Sequence, residues 1–203
     1  CLFAQNYMDN NNPLIITNCD QRLDWDSESF LEFIQLEDLD GAVVTFESDN
    51  PKNSFALLGE NGYVTKFYEK NPVSKNALIG LHYWKKGSDF VESAKELLKK
   101  FETDCRPECY ISESYNYMID DGKKIKCFEI SPNEYISLGT PYDLSIFQAK
   151  IKELSDAVMN SYQSDKGKKA LSQLANLGYS LSYSGAGSQA SSANSAMTPG
   201  QAL

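Results

Sequence analysis

Histidine is almost absent from this 203-residue chain: His82 is the only one. One histidine gives no Ser-His-Asp or Cys-His order from which nucleophilic catalysis could be argued. Cysteine is sparse and odd in number, at Cys1, Cys19, Cys105, Cys109 and Cys127. Such usage does not build a disulfide scaffold and points to a reducing cytoplasm. Cys105 and Cys109 form a lone C-x3-C with no second pair, short of the four ligands of a zinc centre. No apolar run approaches the roughly 20 residues that span a bilayer, so no membrane partner is expected. Basic residues are scarce early: residues 1–50 hold Arg22 alone against eleven carboxylates, and the whole chain carries −9. That balance argues against nucleic acid or an anionic membrane surface, both of which need basic surface. Beyond Lys169 there is no charged side chain at all.

What is present is enough apolar matter for a real core, 41% hydrophobic and 12% aromatic residues. Pro13–Asn18 (PLIITN) reads as a strand buried on both faces, running parallel to its neighbours and ending at Cys19-Asp20-Gln21. A helix is expected over about 27–35 with Asp26 as its N-cap. Ala42–Phe46 is a second buried strand. Phe55–Leu58 and Tyr63–Tyr68 flank Gly59-Glu60-Asn61-Gly62 and predict an antiparallel hairpin. Asn76–Trp84 is a further strand, and Ser88–Phe101 an amphipathic helix with Phe90, Ala94, Leu97 and Leu98 inward. Residues 110–119 read as helix, 124–130 and 135–137 as strands, and 141–154 as a helix opened by Pro141. Alternating strands and helices predict an α/β fold with a mixed sheet over residues 1–155. Residues 156–203 are expected as a weak helix and a flexible Ser/Ala/Gly-rich tail. Gly185-Ala-Gly187 within that tail neither follows a strand nor precedes a helix, so it is not a phosphate loop.

Several polar residues stand where chemistry could occur. Asp20, at a strand end, is either a turn former or a holder of Mg²⁺ and its phosphates. Asp24-Trp25-Asp26 is a D-x-D, a pattern that holds a nucleotide-bound metal in many sugar transferases, although its last Asp also suits a cap. Glu69-Lys70-Asn71-Pro72 ends a strand with a carboxylate and an ammonium able to reach one ligand, Lys to phosphate and Glu to hydroxyls. His82, in an apolar strand, is expected to be a satisfied, half-buried residue. Arg106-Pro107-Glu108 reads as surface loop.

Taken in order, PLIITNCDQ, SFALLGENGYVTKFYEKNPVS, NALIGLHYW, ECYISESYN and YISLGTPYDL resemble the sugar-phosphate nucleotidyltransferase family. They are most similar to its surface-polysaccharide branch, over about residues 1–150. The resemblance implies a three-layer, Rossmann-like nucleotide-diphospho-sugar transferase fold with a mostly parallel sheet. It implies an enzyme joining a sugar 1-phosphate to a nucleoside triphosphate, with release of pyrophosphate and Mg²⁺ as cofactor. Carried over residue by residue, Asp20 would bind the metal, Lys70 the sugar phosphate and Glu69 the sugar hydroxyls. Ala56 and Gly80 would bring backbone against the sugar. No histidine is required.

The chain departs from the family pattern in two places. Ser137 stands where relatives carry a second metal-binding Asp, so the metal would rest on Asp20 with waters, or on another carboxylate such as Asp24. The family's G-x-G-x-R loop and following P-K do not occur in the sequence. The chain is therefore expected to be an amino-terminally truncated portion, lacking the first strand–loop–helix and inactive alone. An incomplete sheet with an open edge would favour pairing between copies. Two alternatives compete with this reading. One is a glycosyltransferase using the D-x-D, and the other is a sugar-phosphate-binding module without catalysis.

Overall fold

The computed structural model describes residues 1–104, 107–161, 164–182 and 189–192. In chain order its elements begin with α1 (Gln5–Met8), β1 (Leu14–Thr17), β2 (Gln21–Leu23), α2 (Ser27–Leu36) and β3 (Gly41–Glu47). They continue with β4 (Ser54–Leu58), β5 (Val64–Glu69), β6 (Asn76–Trp84), α3 (Gly87–Asp104), α4 (Ser114–Asp120) and β7 (Ile125–Ile130). The last are β8 (Tyr135–Ser137), α5 (Pro141–Ser161), α6 (Asp165–Asn176), β9 (Tyr179–Ser182) and β10 (Gln189–Ser192). They fall into two units: Cys1–Cys19 with Trp25–Tyr135, and Asp20–Asp24 with Ile136–Leu203.

The first unit is a six-stranded sheet in the order β5-β4-β6-β3-β7, with β1 also on β6. One edge of β6 carries β3. Its other edge is shared, meeting β4 at Ala77 and β1 along Leu81–Trp84. The two partners part near Gly80, where β6 bulges against β3 and Gly80 takes φ +80°. Glycine is suited to that left-handed conformation because it has no Cβ. Helices cover both faces. Under α3 and α4 lies a core of Val43, Phe67, Leu78, Trp84, Phe90, Tyr115 and Ile125. On the opposite face Phe30 and Phe33 of α2 pack on Phe128 of β7. The α/β fold class and the mixed sheet are as expected.

Some particulars differ from expectation. Only β3 and β7 run parallel, because β6, in the middle of the sheet, opposes each of its partners. β1 is neither parallel nor buried on both faces. Among the described residues it pairs with β6 alone, and Ile15 is 48% exposed. Leu98, expected inward, is also exposed, since α3 turns Phe90, Ala94 and Leu97 to the core instead. The helix expected to stop at 154 continues to Ser161, so the boundary expected at 155 falls inside α5. Its apolar spacing carries on through Val158, which is 1% exposed.

In the second unit, Phe147, Ile151 and Val158 of α5 pack with Ala170 and Leu174 of α6. Ser164 caps α6 by accepting the Gly167 N–H at 3.2 Å, and Arg22 donates to the Asn176 carbonyl at its other end. β2 pairs with β8, and β9 pairs antiparallel with β10 inside the segment expected as a tail. Gly185-Ala-Gly187, Cys105 and Arg106 lie outside the described residues. Among those described, no helix is long and apolar enough to cross a membrane.

Candidate functional site

Where β1 and β4 separate along β6, the first unit opens a polar cavity of about 400 Å³. Asn18 reaches it from the end of β1, Ser54 and Glu69 from the hairpin, and Lys52 and Asn53 from the turn before β4. Gly80 and His82 contribute from β6, and Tyr110 and Tyr135 from loop and strand.

Glu69 stands directly across from Ser54 in the hairpin register, and the Ser54 hydroxyl donates to its carboxylate. The group is half-buried. Burial raises its pKa, against smaller lowering effects from the Ser54 hydrogen bond and the Lys70 charge. A carboxylate so placed has lone pairs for the hydroxyls of a ligand.

Gly80 leaves room for Asn18. A Cβ built there would come within 2.2 Å of Asn18 Nδ2, while the Asn18 N–H already donates to the Gly80 carbonyl at 3.0 Å. Gly80→Ala should cost about 1–2 kcal/mol for the left-handed backbone alone, with the Asn18 side chain pushed aside as well. Urea unfolding measures the cost, and a variant as stable as the parent would contradict this account of the bulge.

His82 differs from expectation. It is 7% exposed, not half-exposed, and its Nδ1 has no hydrogen-bond partner among the described residues. The ring stacks between Trp84 and Tyr115, each centroid 5.8 Å away, and burial pulls its pKa down to about 4. It is thus a neutral imidazole near neutral pH, and Nδ1 can make one hydrogen bond in either sense, depending on the tautomer.

Lys70 is the neighbour of Glu69, yet it does not line the cavity. It is a non-glycine residue with φ +51°, and its N–H is held by the Asn53 carbonyl at 3.1 Å. Its ammonium donates to Glu108 at 2.9 Å and to the Tyr110 hydroxyl, and lies 4.8 Å from the centre of the Tyr110 ring. The Tyr110 hydroxyl donates in turn to Glu108. Tyr110 and then Glu108 push the Lys70 pKa up, and Tyr110 and then Lys70 hold the Glu108 carboxyl down.

Ala56 is fully buried, and its carbonyl accepts from Ser74 Oγ at 2.8 Å and Asn76 Nδ2 at 3.3 Å. It does not line the cavity.

Asp20 belongs to the second unit. Its carbonyl accepts from the Leu138 N–H at 2.8 Å, and its carboxylate faces Gly139, where a Cβ would fall 2.8 Å from Oδ2. Only glycine leaves that carboxylate uncrowded. Ser137 donates to Asp143 at 3.2 Å, and Thr140 and Asp143 cap α5 reciprocally. Among the described residues no three His, Cys, Asp or Glu side chains form a metal cage. Mg²⁺ is commonly held by one or two carboxylates with waters and substrate phosphates, so an exposed Asp20 in this cradle fits it. The D-x-D alternative fares worse. Asp26 accepts the Glu28 and Ser29 N–H groups at 3.0 and 3.3 Å and the Ser29 hydroxyl at 2.7 Å, so both its oxygens cap α2. The Ser29 hydroxyl is the main cause of its lowered pKa.

The sequence pointed to Glu69, Lys70 and Gly80 through motifs. It gave no signal for Asn18, Lys52, Asn53, Ser54 or Tyr135, which only strand pairing brings to one cavity. No protein-family model and no curated protein matches the sequence. Solved structures do. A nucleoside-diphosphate-sugar pyrophosphorylase from Vibrio cholerae RC9 is similar with TM-score 0.60 and 25% identity, over 71% of this chain and 59% of that one. A Bacillus anthracis protein described as a glucose-1-phosphate thymidylyltransferase, in complex with a sucrose, is similar with TM-score 0.56 and 19% identity. That likeness covers 72% of this chain and 57% of the other. The chain thus spans less than two thirds of the length of either. At the level of fold it is an α/β protein of the sugar-nucleotidyltransferase, Rossmann-like type.

Proposed function

We propose that this chain carries the sugar-phosphate side of a nucleotidyltransferase that joins a sugar 1-phosphate to a nucleoside triphosphate, in the making of surface polysaccharide. The observation that carries the proposal is the polar cavity at the parting of β1 and β4, with Glu69, Ser54, Asn18 and His82 at its walls. The likeness to a nucleoside-diphosphate-sugar pyrophosphorylase supports it.

In the reaction a phosphate oxygen of the sugar 1-phosphate attacks the α-phosphorus of the triphosphate. One P–O bond forms, the P–O bond to the β-phosphate breaks, and pyrophosphate leaves. Such transfers need in-line positioning and charge neutralisation more than a covalent catalyst. Glu69 accepts sugar hydroxyls while Ser54 fixes its carboxylate. Gly80 and Asn18 shape the wall, and His82 Nδ1 offers a further hydrogen bond from the floor. The Lys70 ammonium receives the phosphate. Asp20 would hold Mg²⁺, which when bound would screen the anionic oxygens of the triphosphate.

Calorimetry with glucose 1-phosphate as the probe tests this. The 203-residue chain should bind it, and Lys70→Ala or Glu69→Ala should each weaken binding by about 10- to 100-fold, the usual worth of a hydrogen bond to a charged group. No binding, or binding indifferent to both substitutions, would refute the assignment.

A further inference from the structure

We infer that Lys52 is a second phosphate-binding residue of this cavity, one that the motif series does not mark. The inference rests on reading the cavity as a sugar-phosphate site.

Charges around the cavity carry the argument. Lys52 and Glu69 are its only formally charged lining groups among the described residues, His82 being neutral. Lys70, beside it, is already answered by Glu108, whose carboxylate oxygen sits 2.9 Å from the ammonium, where an oxygen of a bound anion would sit. The Tyr110 hydroxyl bonds both partners of that pair. Lys70 and Glu108 together present no net charge, and Glu69 repels an anion. Lys52 has no ion pair with any described residue, so it is the cation that the cavity itself offers to a phosphate.

Its position is also defined. The Lys52 N–H donates to Asn50 Oδ1 at 3.1 Å, and the Asn53 N–H closes the same turn on the Asn50 carbonyl at 3.0 Å. Asn53 then accepts the Lys70 N–H at 3.1 Å. The backbones that bear the two lysines are thereby tied at one lip of the cavity. A phosphate entering there meets Lys52 first, and Lys70 joins it when Glu108 gives way. Two ammonium groups on one dianion also leave a clear mark in salt, since each screened contact steepens the loss of affinity with ionic strength.

The test follows backbone amide shifts of residues 52–54 and 70 in the full 203-residue chain, with inorganic phosphate and glucose 1-phosphate as separate probes and glucose as a neutral control. Lys52→Gln should weaken both phosphates by about three- to tenfold, the range expected of one solvated charge contact. It should flatten their salt dependence and leave glucose unchanged. Glu108→Gln, by freeing Lys70, should tighten phosphate in the parent and in Lys52→Gln alike. Phosphate binding that ignores Lys52→Gln in both affinity and salt slope, or the absence of any phosphate-induced shift at 52–54, would overturn the inference. Inorganic phosphate bound through Lys52, with glucose 1-phosphate no tighter, would leave Lys52 standing and sink the sugar reading instead.

Discussion

Trp84→Ala should lower the unfolding free energy by about 3–5 kcal/mol, the range for truncating a buried tryptophan. Trp84 is fully buried at the end of β6, stacked on Tyr115 with an interplanar angle of 1° and a centroid distance of 4.8 Å. Phe90 of α3 meets it at 4.6 Å. The Tyr115 hydroxyl donates to the Tyr83 carbonyl at 2.9 Å, which ties α4 to the strand that Trp84 anchors. An alanine would leave a cavity under both helices. Trp84→Phe should cost less than half as much. It keeps the aromatic stack and removes an indole N–H that has no partner among the described residues. Urea unfolding followed by far-ultraviolet circular dichroism measures both. Equal losses for Ala and Phe would mean that the cost lies in the indole N–H rather than in packing.

Acidification should weaken the fold through His82. The folded pKa of about 4 lies below the ordinary 6.5, because burial penalises the imidazolium. Between those values the unfolded chain binds the proton and the folded chain does not, so stability rises with pH across that window. The contribution is fully present above pH 6.5. It falls by about 3 kcal/mol on going down to pH 4, from the size of the pKa difference. Glu69 acts in the opposite sense: its pKa is raised by burial, so its contribution is present at low pH and lost as pH rises through the folded value. Comparing the chain with His82→Phe at each pH removes the Glu69 effect from the difference. The two stability curves should diverge by about 3 kcal/mol between pH 6.5 and 4. Parallel curves would show that His82 takes its proton inside the fold.

Much of this scaffold was legible in the sequence, and the exceptions share a cause. Asn76–Trp84 matched β6 at both ends, and the Gly59–Gly62 turn gave the hairpin. Asp26 does cap α2. These features depend on local chemistry, such as turn residues, caps and runs of β-branched or aromatic side chains. PLIIT misled because an apolar run records a preference for burial without naming the partner, and Ile15 meets too few neighbours to be covered. Residues 155–161 were lost because Ser155 and Asp156 look like an ending, although Ile151, Leu154 and Val158 keep a helical spacing. The site divides in the same way. Glu69 and Lys70 stand in a short motif, whereas Lys52, Ser54 and Asn18 meet only through the register of β4, β5, β6 and β1. His82 was expected to be satisfied, and nothing local could reveal that the stack above it leaves Nδ1 alone.

The left-handed backbone at Lys70 has a consequence for how this chain would change over generations. Glycine adopts φ +51° freely and asparagine more readily than lysine, so either would relax the end of β5. The exposed Glu108 pair repays little of that strain. In a lineage relieved of its ligand, position 70 would drift toward glycine or asparagine before the buried residues around Trp84 moved at all. A lysine kept in that conformation is a mark of use.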